Sequence, residues 1–216
     1  MLDQGTYIQI SVNEIQKTFA RNLVEYSLLH HKITNIWDHQ ITMHDKTRIL
    51  RYTGTLGETV FADAYHLPRP EKSFGAHDGQ DWGQDFLIPS DDFQFALDIK
   101  SMKRMNGSLQ KKYVLNIPSS QLHKVKSVTT HYFCISFHQC PTNGTVASLL
   151  GFIEKDALKK GEIGIYYPAN TKRIRQDKSH FVFNEDTYEV FFQDLKPPIL
   201  TESMQLLKGF KICQFR

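Results

Sequence analysis

Cysteine is scarce in this chain, and so are long apolar runs. Cys134, Cys140 and Cys213 are odd in number and form no CxxC pair. That argues against a disulfide framework and against a zinc ribbon. They read as reduced thiols, at least one of them in the core. No stretch approaches the roughly 20 apolar residues of a membrane helix. The N-terminal MLDQGTYIQISVNE has neither the basic start nor the apolar run of a secretory signal. The expected setting is the cytoplasm, with no membrane partner. The chain also lacks GxxxxGK[ST], GxSxG and HExxH. A nucleotide-driven motor, a serine hydrolase and a zinc protease of those types are disfavoured. His30 and His31 are adjacent rather than one helical turn apart, and His66, His131 and His138 stand alone. These read as surface or partly buried histidines. No repeat, low-complexity tract or Pro/Gly-rich linker interrupts the chain.

What remains is globular material. Apolar residues make up 40% of 216 positions, with 15 Phe and 9 Tyr to fill a core. The net charge of +3 hides a division. Residues 1–98 carry 8 basic and 14 acidic side chains, and residues 99–216 carry 18 and 9. Between Ile99 and Lys126 there is no acidic residue, while Lys100, Lys103, Arg104, Lys111, Lys112, Lys124 and Lys126 all fall there. A one-signed tract directly after an acidic half suits a polyanion bound beside a metal.

The pattern along the chain predicts helices first and a sheet afterwards. Ser11-Val-Asn-Glu14 reads as a capping box, followed by Ile15, Phe19, Leu23 and Tyr26 at helical spacing. A second helix is expected from about Asp45 to Tyr65, with Ile49, Tyr52, Leu56, Val60 and Ala64 on one stripe. Pro68 and Pro70 stop it. Residues 71–84 read as a polar loop. A hairpin follows, with Asp85–Ile88 and Phe93–Lys100 as its strands. Further strands are expected at Tyr113–Ile117, Tyr132–His138, Val146–Ile153, Ile163–Tyr167 and Tyr188–Phe192. Helical turns are expected at Ser119–Lys124 and Lys155–Lys160. The expected class is mixed α/β or α+β, a mixed central sheet flanked by helices, with N-terminal helices. An N-terminal helical segment over 1–44 precedes a core over 45–216, in one compact domain overall.

Chemistry concentrates on the hairpin. Side chains alternate along a strand, so Asp98 and Lys100 share a face and Ile99 takes the other. Asp85 opens the neighbouring strand and can sit across from Asp98. Two neighbouring carboxylates repel unless a cation joins them. Mg²⁺ suits them, because it takes oxygen ligands and tolerates one or two carboxylates beside phosphate oxygens. Lys100 can orient an attacking water and stabilise charge at phosphorus. Asp78 and Asp81 are alternatives to Asp85, which is preferred because an apolar strand follows it.

Asp85, twelve residues, then Asp98-Ile99-Lys100 resembles the signature of the PD-(D/E)XK nucleases, the restriction-endonuclease-like superfamily. Gln84 stands where that family usually has proline. Glu58, in Thr55-Leu-Gly-Glu-Thr-Val-Phe, matches the acidic residue that the family often carries on the preceding helix. The resemblance covers about residues 50–198 and rests on four positions. It implies a restriction-endonuclease-like core and Mg²⁺-dependent cleavage of double-stranded DNA, with Mn²⁺ as the expected substitute. By that likeness Asp85, Asp98 and the Ile99 carbonyl hold the metal, Glu58 assists through its water shell, and Lys100 orients the nucleophile. The products would carry a 5′-phosphate and a 3′-hydroxyl. Lys103, Arg104, Lys111, Lys112, Lys172, Arg173 and Arg175 are the candidate DNA contacts, an arginine of the last cluster being able to read a guanine edge.

The expected role is that of a type II restriction endonuclease or related defence nuclease, and a homodimer is expected if the cut falls in a palindrome. A repair, mobile-element or RNA nuclease, and a non-catalytic DNA-binding protein on the same fold, are the alternatives.

Overall fold

The computed structural model describes residues 2–30, 44–71, 84–90, 93–104, 108–125, 127–174, 178, 180–199 and 210–216. The alternatives Asp78 and Asp81, the candidate contact Arg175, and Lys126 lie outside the described residues.

Strand β5 (His131–Cys140) and strand β6 (Gly144–Glu154) form the centre of the molecule. Their sequences are apolar on both faces, the signature of strands covered above and below. Phe133, Ile135 and Phe137 point into one core, and Tyr132 and Cys134 into a second. Burial pushes the Cys134 thiol far above its ordinary pKa, and all three cysteines are free.

Around this pair a six-stranded mixed sheet is built. Strand β1 (Thr6–Ser11) lies antiparallel to β6 and carries β11 (Lys211–Gln214) on its outer edge. On the other side, β3 (Gln94–Lys103) runs parallel to β5 and pairs in a hairpin with β2 (Phe86–Pro89). The order is β11-β1-β6-β5-β3-β2. The fold is mixed α+β, as the residue pattern implies.

One face of the sheet is covered by helices α1 (Glu14–His30) and α2 (His44–Ala64). Leu56, Val60, Phe61 and Ala64 of α2 pack on Leu97 and Ile99 of β3 and on Phe133 of β5. Gly57 is what lets α2 come so close. A Cβ built there would stand 1.8 Å from Ser101 Oγ. The opposite face is covered by a three-stranded sheet, β4 (Val114–Pro118), β10 (Thr187–Phe191) and β7 (Ile165–Tyr167). Short helices α3 (Ser119–Leu122) and α4 (Lys155–Lys159) follow β4 and β6. A separate hairpin of β8 (Lys172–Ile174) and β9 (His180–Val182) leads into β10.

Three details depart from expectation. The N-terminal segment, expected as helical, also supplies β1 to the sheet. Its capping box is formed by Asn13 and Gln16 instead of Ser11 and Glu14. The Gln16 amide donates to Asn13 Oδ1 at 2.9 Å, and the Asn13 amide donates to Gln16 Oε1 at 3.0 Å. The buried face of α1 is also rotated from the expected stripe. Ala20, Val24 and Ser27 are buried, while Ile15 is 70% exposed and Tyr26 is also exposed. Small side chains let two helix backbones approach, so α1 turns them toward α2. Asp63 locks that pair, accepting from Gln16 at 2.8 Å and from both Arg69 nitrogens at 2.7 Å.

Candidate active site

Beta strand β3 bulges nowhere between Leu97 and Lys103, so its alternation is strict. Leu97, Ile99 and Ser101 face the helices, and Asp98, Lys100 and Met102 face the three-stranded sheet. Asp98 and Lys100 therefore sit side by side. Lys100 Nζ donates to Asp98 Oδ2 at 2.6 Å, and both side chains are mostly buried. The ammonium also lies 5.3 Å from the centre of the Tyr132 ring. Pair and ring together hold Lys100 in one place.

Asp85 is just outside the last paired residue of β2. The hairpin register pairs Phe86 with Leu97, which brings Asp85 beside Asp98. Its amide donates to the Leu97 carbonyl at 2.7 Å. Its carboxylate Oδ2 accepts the Ile99 amide at 2.6 Å. The carboxylate thus caps the strand edge where β2 ends. N–H and C=O of one strand residue point to the same edge. The Ile99 carbonyl consequently faces the edge that Asp85 occupies. Asp85, Asp98 and that carbonyl supply only hard oxygen donors, a set that fits Mg²⁺ with waters completing its shell. Among the described residues, no group of three or more His, Cys, Asp or Glu side chains gathers as a metal site.

Asp85, Asp98 and Lys100 open into one cleft of about 830 Å³. Gln121, Lys124 and Ser127 form one wall. Phe181 and Val182 of β9, with Asn184 and Glu185, form the other. The apolar part of that wall is small, and the cleft is open to solvent, as a site for a large polar substrate must be. Lys172 is paired directly opposite Val182. Cross-strand partners share a face, so Lys172 stands on the hairpin at the cleft border.

The other expected residues are placed differently. Glu58 is on α2, across the sheet from the Asp98 face, and does not line the cleft. Lys111 and Lys112 are exposed on the turn before β4, away from the cleft. Lys103 is exposed, faces the helices and lies 5.7 Å from the Tyr52 ring centre. Arg104 turns inward. Its guanidinium stacks on Tyr113 and Phe192 at 4.7 and 4.8 Å and donates to the Val114 carbonyl at 2.9 Å. Burial lowers its pKa. Arg173 is bound to Glu189 at 2.7 Å and stacked 4.4 Å from the Tyr167 ring centre.

Lys155 belongs to the site's surroundings without having been expected there. It is 3% exposed and donates from Nζ to Ser127 Oγ at 2.9 Å. Desolvation holds its pKa below the ordinary lysine value, with Lys159 lowering it further and Asp98 acting to raise it. A lysine in the first turn of a helix opposes the helix dipole. That mismatch is the signal in the sequence that could have marked it.

Comparisons with protein-family models, with curated proteins and with solved structures return no significant match to this chain. Among the described residues, no helix is long and apolar enough to cross a membrane.

Proposed function

We propose that the chain is a Mg²⁺-dependent endonuclease of double-stranded DNA, with a restriction-endonuclease-like core, acting in the cytoplasm in restriction or a related defence role. The observation that carries this reading is the convergence of Asp85, Asp98 and Lys100 on one open cleft, from two strands paired in register.

Asp85, Asp98 and the Ile99 carbonyl would hold the metal, and Mn²⁺ would replace Mg²⁺. When bound, the cation would supply Lewis-acid polarisation of a phosphate oxygen and a lower pKa for water. Lys100, fixed by Asp98 and Tyr132, presents a cation toward the cleft. Its role is to orient the attacking water and offset the negative charge that grows at phosphorus. Lys124 and Lys172 are placed to meet flanking phosphates. Phosphate contacts would make binding fall steeply with salt. A palindromic target would call for a homodimer.

The test is nicking of supercoiled plasmid by purified protein in Mg²⁺ and in EDTA, with the ends mapped. Cleavage only with the divalent cation, leaving 5′-phosphates, is expected. Tight, salt-sensitive binding without cleavage under Mg²⁺ or Mn²⁺ would instead favour a non-catalytic DNA-binding protein. Faster cleavage of RNA than of DNA would shift the substrate.

A further inference from the structure

A second pocket lies on the helix side of the sheet, at the far end of β3. It encloses about 490 Å³ between the start of α1, the middle of α2 and the ends of β3 and β5. Lys17 and Arg21, one turn apart on α1, face Lys103 of β3 across it. Its floor is apolar, formed by Leu56 and Phe137, with Tyr52 beside them. Glu14 is the one acid on its lining, and it is already bound to Lys17 at 2.7 Å. Arg104 also borders the pocket, but its guanidinium is committed to Tyr113, Phe192 and the Val114 carbonyl. Arg21 and Lys103 are left as an excess of two positive charges over an apolar floor. Burial raises the pKa of the Tyr52 hydroxyl, and Arg21 and Lys17 are the cations acting on it. His138 also lines the pocket, and burial keeps its pKa low, so it adds no charge at neutral pH.

Like charges gathered above a low-dielectric floor raise the local potential and draw an anion. A tyrosine hydroxyl, a guanidinium and an ammonium are together the donor set of a phosphate site. We propose that this pocket is a second phosphate-binding site, in which Arg21, Lys103 and Lys17 hold a backbone phosphate of the nucleic acid bound at the Asp98 cleft. The identity of that polymer rests on the nuclease reading; the anion site itself does not. Lys100 and Lys103 are three residues apart on β3, about 10 Å along the strand at the usual rise, and point to opposite faces. That separation is comparable to the width of the DNA major groove, about 12 Å. One end of β3 can therefore lie in the groove with a backbone on either side.

The experiment is equilibrium binding of a fluorescein-labelled mixed-sequence duplex in EDTA, over a range of salt, by wild type, Arg21→Ala, Arg21→Lys and Lys103→Ala. Each alanine variant is expected to weaken binding and to reduce the slope of log K against log salt by about 0.9, one phosphate contact. Arg21→Lys should keep most of the slope. Unchanged affinity and slope in both alanine variants would overturn the site. A parallel arm follows 5′-AMP and inorganic phosphate by amide chemical shifts of residues lining the pocket. Saturable binding of AMP that Arg21→Ala abolishes, with duplex slopes unchanged, would mean that the pocket takes a free nucleotide and would overturn the strand contact. Plasmid nicking in Mg²⁺ separates the two claims. Lost slopes in a protein that never cleaves would leave the phosphate site standing and remove the nuclease. Cleavage with unaltered slopes would do the reverse.

Discussion

Arg173→Ala tests whether a basic residue that the sequence suggests for DNA is held by the fold instead. Glu189 is 2% exposed, and its carboxylate meets Arg173 through two nitrogens, at 2.7 and 3.4 Å. Removing the guanidinium leaves that carboxylate buried without its counter-charge. Breaking a fully buried pair costs about 3–5 kcal/mol. The Arg173 side chain is 37% exposed, however, so water can partly replace it. Loss of the stacking on Tyr167 adds a fraction of a kcal/mol. A cost of about 2–3 kcal/mol is expected. For a chain of this size that is a drop in Tm of about 4–12 °C. Chemical denaturation measures it directly. Glu189→Gln in the same background should recover most of the loss, because a neutral amide tolerates burial better than a lone carboxylate. Duplex binding should keep its salt slope. If Arg173→Ala leaves stability unchanged and weakens duplex binding instead, the structural assignment of Arg173 fails.

Three other outcomes follow from the same geometry. Gly151 has φ +126°, and a Cβ there would stand 1.9 Å from the Lys196 carbonyl oxygen, where the chain bridges to Phe152. Gly151→Ala should cost at least about 1–3 kcal/mol from backbone strain alone, read by denaturation, whereas a near-neutral variant would contradict the close approach. His131 and His138 have pKa values lowered by burial, below the ordinary 6.5. The unfolded chain then binds more protons just below pH 6.5, so stability should fall as pH drops through that range and level off below the folded values. His131→Asn should flatten the profile, and an unchanged profile would show that His131 is not a source of it. Lys155→Met keeps the buried stem and removes the ammonium. Cleavage should fall about tenfold, some 1.4 kcal/mol of barrier, with the Tm unchanged or raised. Unchanged cleavage would confine Lys155 to bracing Ser127.

The hairpin at the centre of the site was legible because alternation and turn residues are local signals. Asp98 and Lys100 share a face for the reason that any two residues i and i+2 of a strand do, and the register beside Asp85 follows from the short turn. Strand β1 also alternates, but its neighbouring helix signal absorbed it. Strands β8, β9 and β11 have 3 or 4 residues each, too few for a period to emerge. The rotation of α1 was hidden because helix–helix contact here selects small side chains over large ones. The fates of Arg104 and Arg173 were hidden for another reason. Their partners, Phe192 and Glu189, are distant in sequence, and nothing local distinguishes a stacked arginine from a solvated one.

The most direct measurement is the single-turnover rate of Mg²⁺-dependent plasmid cleavage by wild type, Asp98→Ala and Lys100→Ala, each shown to be folded and to bind duplex. Wild type should cleave, and each variant should lose at least about 10²–10³ in rate while keeping its affinity. Cleavage by both variants at the wild-type rate would contradict a site centred on Asp98 and Lys100.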